Sequence, residues 1–286
     1  MAEILASVID GVLIGSIYGL AAMGLTLIWG VMNVINLSHG AVIVLGMFAL
    51  YYLSSVLGLN AYAALPIVII LGFAAGMALY WIAVHRVIGR PHLMSLLSTF
   101  AVNMVLIGLG TALWSTSPYN VPVSLPSVSW QGYTYTGTHL VAAALAFVIA
   151  GLLYVLLYRT RIGKAIRAVA NNRAAAELSG IPTTQVLALS FGLGVTLAFA
   201  SGMLIATLFP FTVLSGGAYQ LKSFVVTVLG GLGNPGGALL GGIFLGLIEG
   251  VATPFMPLSW TPMIEFVLFV IVLIAFPRGI FSFSRA

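Results

Sequence analysis

The chain reads as an all-α, polytopic integral membrane bundle, and three observations predict it. Hydrophobic residues fill 61% of its 286 positions and charged residues only 5%. With a mean hydropathy of +1.18, too little polar surface remains to coat a water-soluble globule. Apolar runs of about 18 to 25 residues recur, each long enough as a helix to cross about 30 Å of hydrocarbon. These runs do not alternate apolar and polar residues with period two, as the strands of a membrane barrel do. About eight or nine hydrophobic segments are expected, with re-entrant or broken helices where glycine breaks interrupt them.

The first apolar run covers 4–32 and ends in Asn33-Val-Ile-Asn-Leu-Ser-His-Gly40; the second covers 41–57 and the third 62–84. A basic loop, His85-Arg-Val-Ile-Gly-Arg-Pro-His92, precedes the fourth run, 93–114. Residues 115–138 hold no Lys, Arg, Asp or Glu, so this loop is expected outside the cytoplasm. Trp114, Tyr119, Trp130, Tyr133 and Tyr135 fit an aromatic belt at that interface. The fifth run, 139–158, returns the chain to a basic segment at 159–182, and the sixth covers 185–209. Two shorter runs, 216–233 and 236–252, are joined by Gly230-Gly-Leu-Gly-Asn-Pro-Gly-Gly237, a break that no continuous helix carries. The last run, 261–276, is followed by Arg278 and Arg285, which place the C-terminus in the cytoplasm.

Parity then requires 1–57 and the stretch after the sixth run each to start and finish on one face. Two full spans satisfy this, and so does a re-entrant pair of short helices; the N-terminus is extracytoplasmic either way. Met1-Ala-Glu-Ile-Leu lacks the features of a cleaved signal, so the first run is expected to be retained. Asn36-Leu-Ser-His-Gly-Ala41 and Asn234-Pro-Gly-Gly-Ala238 echo one another, as in a parallel structural repeat. Thirty-three glycines spread through apolar runs predict helices whose backbones approach closely.

The formal charge of +5 follows from cytoplasmic loops obeying the positive-inside bias, not from nucleic-acid binding. Zero cysteines exclude disulfides and thiolate chemistry. No Gly-x-x-x-x-Gly-Lys-[Ser/Thr] and no Gly-x-Ser-x-Gly occurs, and the four histidines show no metal-ligand spacing. The chain is therefore not read as an enzyme, and no metal or cofactor is expected on it.

The segment 159–182 holds five of the ten basic residues and reads as one surface helix. Arg161, Lys164 and Arg167 lie on one side, Ile162, Ile166 and Val169 form the apolar contact, and Gly180-Ile-Pro182 stops it. An interfacial helix on anionic lipid and a docking surface for a cytoplasmic partner both fit. Docking is favoured, because a protein with many spans needs no lipid anchor.

Charges inside apolar runs are costly and so point to function. Asp10 reads as a solvated headgroup, Lys222 and Glu265 as snorkelling from helix ends, and Glu249 as lining a wet cavity or reaching the outer interface. No in-register partners of a proton relay are visible. If either glycine break lies deep, the helix after it offers backbone N–H groups and a positive dipole end to a carboxylate; otherwise each break is a turn at the membrane face. The pathway candidates are accordingly Asn33, Asn36, Ser38, His39 and Gly40 in the first break, Gly233 and Asn234 in the second, and Glu249.

Four stretches carry a family resemblance: Gly15-Ser-Ile-Tyr-Gly-Leu-Ala-Ala-Met-Gly-Leu-Thr-Leu-Ile-Trp-Gly30, Val34-Ile-Asn-Leu-Ser-His-Gly40, Ala174-Ala-Ala-Glu-Leu-Ser-Gly-Ile181 and Gly230-Gly-Leu-Gly-Asn-Pro-Gly-Gly-Ala-Leu-Leu-Gly241. Nearly end to end, the chain resembles a permease subunit of a bacterial ABC importer for branched-chain amino acids, a group that includes urea and simple-sugar permeases. The resemblance implies a single permease domain over 1–286 in the inner membrane, passing Leu, Ile or Val. It implies a second homologous permease subunit, two cytoplasmic ATPases that use ATP and Mg, and an extracytoplasmic solute-binding protein. It adds Ala175, Ala176, Glu177 and Gly180 to Arg161, Lys164 and Arg167 as the coupling helix that docks on an ATPase. The alternatives are a permease of the same family for urea or another small polar solute, a secondary carrier working alone, and a structural subunit without a pathway.

Overall fold

The computed structural model describes residues 2–130, 133–255, 257, 260–276 and 279–281. Arg278 and Arg285, which carry the expectation for the C-terminus, lie outside the described residues, as do the side chains of Trp130 and Tyr133.

The architecture is a helical bundle. In order come α1 (Ala2–Met32), α2 (His39–Tyr51, continued by a π-helical turn Tyr52–Val56), α3 (Leu65–Leu79, continued likewise by Tyr80–Val84) and α4 (His92–Trp114). A small hairpin, β1 (Val128–Trp130) and β2 (Tyr133–Tyr135), precedes α5 (Gly137–Arg159). Then follow α6 (Arg161–Asn171), α7 (Arg173–Leu178), α8 (Thr183–Ala206), α9 (Gly216–Gly230), α10 (Pro235–Ala252) and α11 (Thr261–Ala275). Among the described residues seven helices are long and apolar enough to cross a membrane, and α11 is a shorter apolar one.

α8 is the central post, buried along most of its length. Its hydroxyls do not need outside partners: Ser190, Thr196 and Ser201 donate to the carbonyls of Val186, Gly192 and Ala198 within the helix. Around it, the close approach expected from the glycines is realised backbone on backbone. Gly11 and Gly15 of α1 face Gly242, Gly246 and Gly250 of α10 in an antiparallel seam, where a methyl on Gly15 would fall 2.5 Å from the Gly242 carbonyl oxygen. With no aqueous driving force between helices in lipid, contact at this range supplies the dispersion energy that holds them together.

The two ends of the bundle differ. At one, α5 turns through Thr160 into α6, and α1 finishes beside the 231–234 turn, Gly30 lying against Gly233. At the other, α1 and α5 begin, and Asp10 meets Nδ1 of His139 at 3.3 Å. Asp10 was read as solvated; its side chain stays 43% exposed but has this partner. The same far end holds an aromatic cluster in which Phe48 stacks on Trp114 at 4.0 Å, with Tyr119 and Phe211 edge-on to it. Tyr119 and Phe211 also pair through their backbones. Trp114 and Tyr119 are half-buried, and Tyr135 is buried outright, so Tyr135 does not serve the expected belt.

Candidate functional site

The first glycine-asparagine break is deep. Asn33, with φ of 52°, turns the chain at the end of α1, and residues 34–38 run back into the bundle. The Nε2–H of His39 donates to the carbonyl of Ala21 at 2.9 Å, a residue about 16 Å back along α1 from Met32. α2 therefore starts inside the protein. α9 starts there too: Gly40 lies against Gly216, where any Cβ would collide with the Gly216 carbonyl. From this joint α2 runs toward the aromatic cluster and α9 toward the 231–234 turn, parallel to α1, with Thr227 hydrogen-bonded to Thr26.

Polar groups at the joint satisfy one another across long sequence separations. The Gly40 N–H donates to Oε1 of Gln220 at 2.6 Å, and Nε2 of Gln220 donates to the Asn36 carbonyl at 3.3 Å. Oδ1 of Asn36 accepts from the backbone N–H and the hydroxyl of Ser38. Hence one end of α2 that was expected to offer free N–H groups already has a cap from α9. At the joint, Nδ2 of Asn36 and Nδ1 of His39 are buried without a hydrogen-bond partner among the described residues. Asn36, Ser38 and His39 are at most 2% exposed. Gln220 escaped sequence reasoning; its only signal was an amide inside a sparsely polar run.

The second break behaves otherwise. It is a turn at the bundle end, with Leu232 exposed and Gly231 and Gly233 at positive φ. Asn234 caps its own helix, its Oδ1 accepting from the Gly237 N–H. Nδ2 of Asn234 donates to the Phe281 carbonyl.

Lys222, Glu249 and Glu265 do not snorkel, and they are not without partners. The Lys222 ammonium sits between the carboxylates of Glu249 and Glu265, tying α9 to α10 and α11. It also lies 4.7 Å from the ring centroid of Tyr18 on α1. The Lys222 side chain is 13% exposed and that of Glu265 2%. Pairing inside replaces the reach to water, because a buried charge is stable only when paired. Glu249 is thus held in this cluster. Lys222 is two positions from Gln220 on α9, a spacing that turns the two side chains to different faces.

The platform is two helices rather than one. Thr160 accepts from the Gly163 N–H to begin α6, and Asn172, in extended conformation, accepts from the Ala175 N–H to begin α7. The amide cap at Asn172 replaces continuation of the first helix. Gly180, φ +80°, ends α7, with the Ile181 N–H returning to the Ala176 carbonyl in a Schellman closure. Ile166 and Val169 are buried against the bundle as expected, whereas Ile162 is half exposed. Arg161, Lys164, Ala175, Glu177 and Gly180 face outward; Ala176 is buried and Arg167 turns inward, 4.8 Å over the ring of Tyr158. Leu178, which sequence reasoning passed over, is 91% exposed.

Arg167 lines a cavity of about 970 Å³ between α1, α5, α6 and the start of α10. Asn33, Gly233 and Asn234 line it as well, together with Trp29 and Tyr158. The pathway candidates therefore divide among three places: the joint, this cavity, and the Lys222 cluster. Among the described residues no three His, Cys, Asp or Glu side chains gather as a metal site would require.

Comparison with known proteins gives the following. Residues 7–273 match the family model described as branched-chain amino acid transport system / permease component. The chain is 27% identical to the high-affinity branched-chain amino acid transport system permease protein BraD of Pseudomonas aeruginosa, over 96% of this chain and 95% of that one. It is 26% identical to LivH of Escherichia coli K12, of the same description, over 96% and 94%. A more partial likeness, 26% over 82% of this chain and 74% of the other, links it to the ribose import permease protein RbsC of Escherichia coli K12. No solved structure matches.

Proposed function

This chain belongs to the permease-component family of branched-chain amino acid transport systems, and on that premise we propose that it passes Leu, Ile or Val through the inner membrane. Residues 1–286 act as one permease domain, beside a second homologous permease subunit. The work comes from two ATPase subunits using ATP and Mg at the platform, and the solute arrives on a binding protein at the opposite end. The platform end is cytoplasmic in this reading, as is the C-terminus; the uncharged 115–136 connection and the N-terminus are outside.

The observation that carries the reading is the platform. α6 is fixed to the bundle by Ile166 and Val169, while α7 presents Leu178 to solvent among polar neighbours. Ala174, Ala175 and Leu178, three and four positions apart, give this short helix one exposed apolar face that the bundle leaves uncovered. Arg161, Lys164, Ala175, Glu177, Leu178 and Gly180 form the docking face; Arg167 and Ala176 anchor it from beneath. The substrate reading draws on the names of BraD and LivH, and the aliphatic surroundings of the joint accord with it.

In this reading the pathway runs through the joint, and the support for it is that Asn36 Nδ2 and His39 Nδ1 lack partners there among the described residues. Parting α2 from α9 would open it, freeing the Gly40 N–H from Gln220 to meet a carboxylate.

Two measurements test this. Leu178→Glu is expected to abolish co-purification of the ATPases and ATP-driven uptake while leaving the chain folded; retained uptake would remove the docking face. In a chain without cysteine, Asn36→Cys is expected to resist a water-soluble thiol reagent in the isolated subunit and to react during ATP-driven turnover. Equal labelling in both conditions, or uptake by this chain alone under an ion gradient, would favour a different mechanism.

A further inference from the structure

The cavity beside Arg167 has features that neither docking nor passage of an amino acid uses. Along α5 it reaches from Phe147 to Tyr158, and along α1 from Met23 to Asn33. Each stretch is about 15 Å of helix, half of a hydrocarbon core of about 30 Å. α5 crosses as Gly137–Arg159, so Phe147 stands near its midpoint and Tyr158 at its end. The groove is one leaflet long.

Its chemistry is graded along that length. The deep end is apolar, with Met23, Leu27 and Phe147, and Asn33, Asn234 and Arg167 gather at the platform end. Among the described residues Arg167 is the one charged side chain that lines the cavity, and no Asp or Glu does. Tyr158 holds the guanidinium from one side, and the buried Nε has no hydrogen-bond partner among the described residues. Phe147 and Tyr154 on the outer wall are 43% and 59% exposed, so the groove opens sideways toward lipid. Trp29, Tyr154 and Tyr158 supply the aromatic rings typical of the interface level.

We propose that this groove is a binding site for one anionic phospholipid of the platform-side leaflet, its phosphate on Arg167 and an acyl chain between α1 and α5. A partner transmembrane helix would need a groove running the full span, and this one stops at mid-depth. A free amino acid would fill little of a 970 Å³ space. Phosphate is the natural complement of a cavity-lining guanidinium that has no carboxylate partner among the described residues. The lipid then fixes α6 to α5 and α1 from the membrane side, at the root of the platform.

The test uses Trp29 as reporter. The full chain is reconstituted into phosphatidylcholine vesicles containing phosphatidylglycerol, with bromine on the acyl chains of one lipid or the other. Brominated phosphatidylglycerol is expected to quench Trp29 beyond its share of the bilayer by about fivefold, the worth of one basic residue near a membrane surface. Trp29→Phe removes the excess quenching, Arg167→Gln removes the preference, and Tyr158→Phe retains it. Equal quenching by the two lipids, or an unchanged preference in Arg167→Gln, overturns the proposal. Loss of quenching on adding leucine would assign the groove to the solute, and loss in the assembled transporter would assign it to a partner subunit. Should Arg167→Gln not fold, native mass spectrometry of the unaltered chain decides: phosphatidylglycerol retained over phosphatidylcholine supports the site, and equal retention overturns it.

Discussion

Two breaks that share an asparagine and a Gly-Ala pair, Asn36 to Ala41 and Asn234 to Ala238, take opposite roles in the bundle. The first turns back into the interior, and its helix is capped by Gln220 from a distant part of the chain. The second stays at the bundle end, and Asn234 caps its own helix locally. The difference teaches that the depth of such a break is decided by what meets it. Gly40 has Gly216 of a distant stretch against it, whereas Gly237, its counterpart before the alanine, has the Gly230 carbonyl of its own turn as close, an added Cβ falling 2.0 Å from the oxygen in either case.

The largest test strikes α9, the helix that reaches from one break to the other. Lys222→Met leaves Glu249 and Glu265 together without their cation, and the expected loss is about 3–5 kcal/mol, the cost of breaking a buried ion pair from one side. Thermal unfolding of the purified chain in detergent reads it, and adding Glu265→Gln should return part of the loss. A midpoint unmoved by Lys222→Met would mean that the cluster is hydrated.

The same substitution at each break sharpens the contrast. Gly40→Ala drives a methyl into the Gly216 backbone and should cost about 1–3 kcal/mol. Gly236→Ala has room and should be neutral or stabilising by up to about 1 kcal/mol, since it lowers the entropy of the unfolded chain. Equal shifts for the two would mean that Gly236 is packed as tightly as Gly40.

Next come the caps themselves. Gln220→Leu strands the buried Gly40 N–H and should cost about 1–3 kcal/mol. Asn234→Ala should cost about 1 kcal/mol, the ordinary value of a helix cap. The smaller loss at Asn234 is the expected ranking in the same unfolding assay, and a reversal would place the second break as the deeper one.

Much of the fold is legible locally. Each apolar run became a helix within a few residues of the expected bounds, because length and apolarity are properties of contiguous chain. The glycines announced tight packing, and Gly180 ended its helix by a conformation that the residue itself supplies. What was not legible depends on residues far apart. Nothing near Gly40 reveals that Gln220 caps it, and nothing near Lys222 reveals that Glu249 and Glu265 neutralise it, so snorkelling was the natural reading. Asn172 could have been read as a cap. The run of helix-forming alanines on both sides concealed it. Arg167 shared a charged face with Arg161 and Lys164 by spacing, yet Tyr158 and the cavity turned it inward.

α8 leaves the platform through Pro182, two residues after Gly180, and near its far end its backbone touches the Ile43 carbonyl of α2 at Gly202. A hydrogen-bonded helix resists compression along its axis, and this one is held laterally almost everywhere. A push received at the foot of such a mast is delivered at its top without a relay of side chains between. Under the proposed function that thrust would land on the helix whose lower end rests against α9, and would part the two.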